Sequence, residues 1–132
     1  MRMKVYSTLI LLCILFFSFS GAMAQTNASE DECVELSKKV LNHLVAGEYE
    51  EASSHFDEQV KASLNTEQLK QVWEGLTQRI GAFQESKGIT TEEAQGYLVV
   101  TNDLEFEKST IGLRLAYNEN NQVSGFFFVP SK

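Results

Sequence analysis

Basic charge is scarce in this chain: eleven Lys and Arg stand against eighteen Asp and Glu, a formal net charge of −7. Affinity for phosphate backbones or anionic lipid comes from cations that release counterions, so nucleic acid is not an expected partner. Cysteine is scarcer still. Cys13 lies inside an apolar N-terminal run and Cys33 is the only other thiol, so once that run is removed no intramolecular disulfide can form. Histidine is limited to His43 and His55, in no His-Glu-x-x-His or related spacing; neither a zinc site nor any other cofactor is expected. A Gly-rich phosphate loop is missing, and so is a recognisable nucleophile motif. No apolar stretch reaches the roughly 20 residues needed to span a bilayer.

The longest apolar stretch, Val5 to Phe19, follows Arg2 and Lys4 and ends in Ser20-Gly21-Ala22-Met23-Ala24. A basic start, a short greasy core and an Ala-x-Ala exit form the pattern that signal peptidase cleaves, which places the cut before Gln25. No Cys stands directly after the cut, so lipidation and membrane attachment after cleavage are not expected. The organisation read from this is a signal peptide over 1–24, a short disordered mature start over 25–29, and one α+β domain over 30–130. The destination is the periplasm or the medium. Loss of Arg2 and Lys4 shifts the net charge to −9, which suits solubility outside the cell.

Three amphipathic segments come first. Ser29 with Glu32 three positions on is a capping box, with Glu30 and Asp31 beside the positive end of the helix dipole. Cys33, Leu36, Val40, Leu41 and Leu44 then recur on one helical face, and Gly47 supplies the left-handed stop. Tyr49, Ala52, Phe56, Val60 and Leu64 make a second stripe, read as one helix. Asn65 with Gln68 opens a third, whose face is Leu69, Val72, Trp73, Leu76 and Ile80, ending at Gly81.

Beyond Gly81 the apolar period changes from 3.6 to 2. Leu98, Val100, Leu104 and Phe106 alternate with polar neighbours, as do Ile111, Leu113, Leu115 and Tyr117. Asn118 to Asn121 is turn chemistry leading into a last strand, Val123 to Val129. A weaker strand is expected between Ala82 and Ile89, joined onward by the polar segment Thr90 to Gly96. The fold class is therefore α+β: three N-terminal helices covering the apolar face of a curved antiparallel sheet of about four strands.

The order of these features resembles the family of unknown function 3887, grouped with the nuclear transport factor 2-like, cystatin-like cone folds. The residues that carry the likeness are Gly47-Glu48-Tyr49-Glu50 with Ala52 and Phe56-Asp57, then Leu69, Trp73 and Leu76, then Gly81-Ala82-Phe83, and finally Val123-Ser124-Gly125-Phe126-Phe127. The resemblance implies a cone with space between sheet and helices, and no agreed catalytic residues. Relatives of this kind often precede an α/β-hydrolase domain, whose nucleophile needs a Gly-x-Ser-x-Gly elbow. These residues hold none, so hydrolase activity is not expected of them.

Asp57 is the first residue to consider as a general acid or base, because a cone can hold a carboxylate in a partly dry pocket. The competing reading makes it a surface carboxylate beside Glu58, or one that fixes the local backbone. Tyr49, Phe56, Trp73 and Tyr97 are candidates to line a ligand cavity, although aromatics at helical spacing are more often core. Cys33 lies on an apolar stripe and reads as a small buried hydrophobe. On the sheet, strict alternation leaves Tyr97, Val99, Phe126 and Phe128 on the uncovered face, a surface on which two copies could pair. The function expected first is an exported, non-catalytic module that binds a small apolar ligand or a protein. The alternatives are a small isomerase- or lyase-like enzyme using Asp57, and a homodimeric interaction domain.

Overall fold

A computed structural model describes residues 30–131, and from Glu32 onward they form one compact unit. The expected leader over 1–24, the stretch 25–29 and the cap at Ser29 lie outside the described residues. The first helix, α1, runs through residues 30–46. It ends as Gly47 predicts: Gly47 adopts φ 80°, its N–H donates to Leu44 O at 3.2 Å, and Glu48 N–H donates to His43 O at 2.7 Å. Those two bonds satisfy carbonyls that the last turn leaves open.

The second stripe is two helices, which makes four among the described residues and corrects the expected three. Helix α2 spans Tyr49–Ser53, α3 spans Glu58–Ser63, and α4 spans Thr66–Ile80. The break has a local and a distant cause. Ser53 and Ser54 turn their hydroxyls back onto carbonyls of the preceding turn, and Asp57, extended at ψ 175°, accepts the Val60 N–H at 2.9 Å as a new N-cap. Between them Phe56 pairs with Val123 as a parallel bridge, anchored by Asp57 N–H to Val123 O and Val123 N–H to His55 O, both 2.8 Å. The backbone there serves the sheet and cannot continue the helix. Helix α4 begins with the full capping box, Gln68 N–H to Asn65 Oδ1 at 2.9 Å and Asn65 N–H to Gln68 Oε1 at 3.0 Å.

The sheet is an antiparallel meander in the order β1-β2-β3-β4: Phe83–Ala94, Tyr97–Phe106, Thr110–Tyr117 and Val123–Pro130. Strand β1 outruns its expectation, since Thr90 to Ala94 are strand where the sequence suggests a polar connector. They pair residue for residue with the first half of β2, from Thr90↔Thr101 to Ala94↔Tyr97. An edge strand with most of its side chains in water carries little apolar alternation, so its length is set by its partner.

Strand β4 corrects a second expectation. Tyr117 pairs with Val123 but Ala116 pairs with Gly125, so Ser124 is an extra residue on β4. A bulge of one residue exchanges the two faces of everything that follows it. Val123 is buried, yet Phe126 and Phe128 also turn to the helices and Phe127 turns outward, 53% exposed. Val99, on the outward face, is itself buried.

The layer between helices and sheet is filled by six linked rings. Phe83 meets Phe106 at 5.8 Å between centroids, Phe106 meets Trp73 at 5.7 Å, Trp73 meets Phe128 at 6.3 Å, Phe128 meets Phe126 at 5.4 Å, and Phe126 meets Phe56 at 5.6 Å. Tilted and edge-on pairs of this kind each add about 0.5–1.5 kcal/mol beyond the area they bury. Val40, Leu44, Leu69, Leu104, Leu113 and Leu115 complete the core around them.

Candidate functional site

Asp57 sits at the corner where α3 begins and β4 arrives. One carboxylate oxygen accepts the Val60 N–H, and the other accepts the Ser124 hydroxyl at 2.7 Å. The bulge that re-aims β4 is thus what brings Ser124 to Asp57. A carboxylate with each oxygen accepting a structural donor holds two elements together, with about half of its lone-pair sites in use.

The four aromatics named for a cavity do not converge. Phe56 and Trp73 are in the ring layer, almost wholly covered. Tyr49 is half-buried at the edge of the helical layer, its hydroxyl donating to Glu74 Oε2 at 3.4 Å. Tyr97 lies on the opposite face of the sheet from the core residues Val100 and Leu104 of its own strand, and is 42% exposed.

His43 and His55 come together although they leave different elements. Their rings stack at 6.2 Å between centroids with 22° between planes, and His43 Nδ1 lies 2.9 Å from Glu48 Oε1. Burial, with His43 and Lys39 adding like charge, pushes the His55 imidazole below its ordinary pKa. Among the described residues no three His, Cys, Asp or Glu side chains gather in an arrangement able to hold a metal ion.

Under α1 lies a polar cluster that periodicity could not announce. Ser37 Oγ and the Tyr117 hydroxyl are 2.8 Å apart and buried, and the Cys33 thiol donates to Asn121 Oδ1 at 3.6 Å. Burial, with Glu32 nearby, pushes the Cys33 pKa up to about 11, and burial raises that of Tyr117 as well. Both stay neutral at physiological pH, so this thiol is a packing group and not a nucleophile. Sequence reading placed Cys33 and Tyr117 correctly on apolar faces, but Ser37 carries no apolar signal and is found only through its partner.

One open groove of about 390 Å³ is lined by Gln95, Gly96, Tyr97, Asn118, Glu119 and Asn120. Two turns build it. Gln95 and Gly96 form the two-residue β1–β2 hairpin with φ 54° and 86°, and the β3–β4 turn stands beside them. Asn118 folds that second turn around its own carbonyl side chain, accepting from Asn120 N–H at 2.9 Å and Gln122 N–H at 3.0 Å.

These features define a small α+β domain, helices against an antiparallel sheet, with an aromatic interior and polar turns at one end. Residues 37–126 match the model of a family described as "Protein of unknown function (DUF3887)", and the chain belongs to that family. Among curated proteins it is similar to "Esterase EstD" of Thermotoga maritima, 26% identical over 88 residues that cover 67% of this chain and 21% of the esterase. The chain therefore spans about a fifth of that relative's length. No solved structure matches.

Proposed function

We propose that this protein is an exported, non-catalytic binding module built on the nuclear transport factor 2-like cone, and that its binding surface is on the outside of the fold. The observation that carries the reading is the state of Asp57, whose two oxygens are committed to Val60 and Ser124. The six-ring layer supports it from the other side, because the space a cone would offer a substrate is taken by side chains. Helices first and an antiparallel meander after them favour the cone assignment. The basic start, apolar core and Ala-x-Ala exit of residues 1–24 favour export.

Similarity to a fifth of an esterase, in a sequence with no Gly-x-Ser-x-Gly elbow, favours an accessory role beside hydrolytic chemistry over performing it. The test is turnover by the purified chain of p-nitrophenyl acetate and butyrate, together with proton exchange into hydroxyacetone. Both should proceed at the buffer rate. A rate above buffer that Asp57→Asn abolishes while circular dichroism stays unchanged would overturn the proposal in favour of an isomerase- or lyase-like enzyme.

A further inference from the structure

The groove between the two turns holds polar side chains that the fold leaves unused. Gln95, Glu119 and Asn120 are exposed, and none of their side chains makes a hydrogen bond among the described residues. Beside them stands Tyr97, an exposed ring in a protein that packs most of its large aromatics inward. A flat ring offers an apolar face and a hydroxyl at its tip, while the neighbouring amides and carboxylate offer paired donors and acceptors. That combination suits a molecule with one apolar C–H face and a rim of hydroxyls.

We propose that this groove is a saccharide-binding site. Tyr97 takes the C–H face of a pyranose ring. Glu119 accepts from two neighbouring hydroxyls, and the Gln95 and Asn120 amides, which both donate and accept, serve the rest of the rim. The charge in the groove decides against other ligands of similar size. Glu119 is the one ionic lining residue and it is an acid, so phosphates, nucleotides and acidic sugars meet repulsion. At about 390 Å³ the groove lies within the roughly 300–1,000 Å³ common to small-ligand sites.

The site is also held in shape before any ligand arrives. Asn121 pins the second turn to the helical layer, donating to Glu32 Oε1 at 2.8 Å while accepting from Cys33, and Asn118 closes the turn through its side chain and through Asn118 N–H to Gln122 O at 3.0 Å. Gln95 is held at a positive φ that side chains other than Gly, Asn and Asp seldom adopt. The backbone of both turns is thus set in advance, and only the side chains that meet the ligand have freedom to lose on binding.

This inference rests on the binding-module reading and is tested apart from it. Cellobiose, lactose and chitobiose are titrated into the 15N-labelled chain, with tetramethylammonium as a cationic control, while amide shifts are followed. At least one disaccharide should bind with a millimolar or tighter Kd and move the amides of Gly96, Tyr97 and Asn120. Tyr97→Ala should weaken it at least tenfold and Glu119→Gln several-fold, both with unchanged circular dichroism. Absence of saturable shifts with all three sugars, whatever tetramethylammonium does, would overturn the saccharide assignment, as would sugar binding that Tyr97→Ala leaves intact. Neither result bears on catalysis, so turnover and sugar binding fail independently.

Discussion

Two polar corners of this molecule are built from the same kinds of residue and end in opposite states. At the α3–β4 corner, Asp57, Ser124 and the backbone of Val123 each have a partner, and the corner closes on itself. At the turn end, Glu119, Gln95 and Asn120 expose side chains that the fold does not use. A carboxylate alone therefore says little about function. What separates a structural carboxylate from an available one is whether other donors already occupy it, and that depends on which distant strand arrives beside it.

The comparison breaks most sharply if the occupied side proves dispensable. Trp73 joins the Phe106 and Phe128 rings at the centre of the interior layer. Trp73→Ala should lower the unfolding free energy by about 3–5 kcal/mol, measured by urea titration followed through far-ultraviolet circular dichroism. A loss below about 1 kcal/mol would mean that the ring layer is loose enough to admit a ligand, and the proposed external site would lose its rationale. Asp57→Ala comes next. It removes a helix N-cap and leaves the Ser124 hydroxyl without its acceptor, at a cost of about 1–3 kcal/mol. Asp57→Asn keeps one acceptor oxygen and should recover part of that loss; an asparagine no better than alanine would show that the two hydrogen bonds are not what holds the corner.

The helical stripes, the Gly47 stop, the Asn65–Gln68 box, the alternation from Leu98 to Tyr117 and the Asn118 turn were all legible, because each is written within a few neighbouring residues. What was not legible depends on long-range pairing. The apolar spacing from Tyr49 to Leu64 continues at helical offsets across the break, so periodicity reads one helix; the Asp57 cap marks where a new helix starts, and the pairing with Val123 holds Phe56 out of both. The polar half of β1 is a strand because β2 holds it. Phe127 faces outward because Ser124 is an inserted residue, and an insertion leaves the spelling of Val123 to Val129 unchanged while exchanging its faces. Asn102 sits at a position the alternation reserves for apolar residues; it is buried and hydrogen-bonded to Ser86 on the neighbouring strand. The groove follows the same rule. Tyr97 was legible as a candidate, whereas Glu119 and Asn120 read as turn residues until the other hairpin stood next to them.

The histidine pair lies between the two states, partly covered and only partly satisfied, and it gives the smallest effect. His55 is in the turn between α2 and α3, where its carbonyl accepts from Val123. Burial disfavours its charged form most, and His43 and Lys39 on α1 add positive charge, while Glu48, which could offset that charge, is bonded to His43. The folded state thus holds His55 neutral more readily than the unfolded chain does, and its pKa is lower when folded. Between those two values the unfolded chain binds the additional proton, so stability rises with pH. The contribution is present above the unfolded value near 6.5 and is lost as pH falls through the lower folded value. Partial exposure keeps it well below the Asp57→Ala effect. Urea midpoints of the wild type and His55→Gln, compared at pH 7.5 and pH 5, isolate this group from the many carboxylates that titrate in both proteins. The wild type should lose more on acidification. Equal losses would show that neither burial nor the positive charge of α1 lowers the pKa of this imidazole in the folded state.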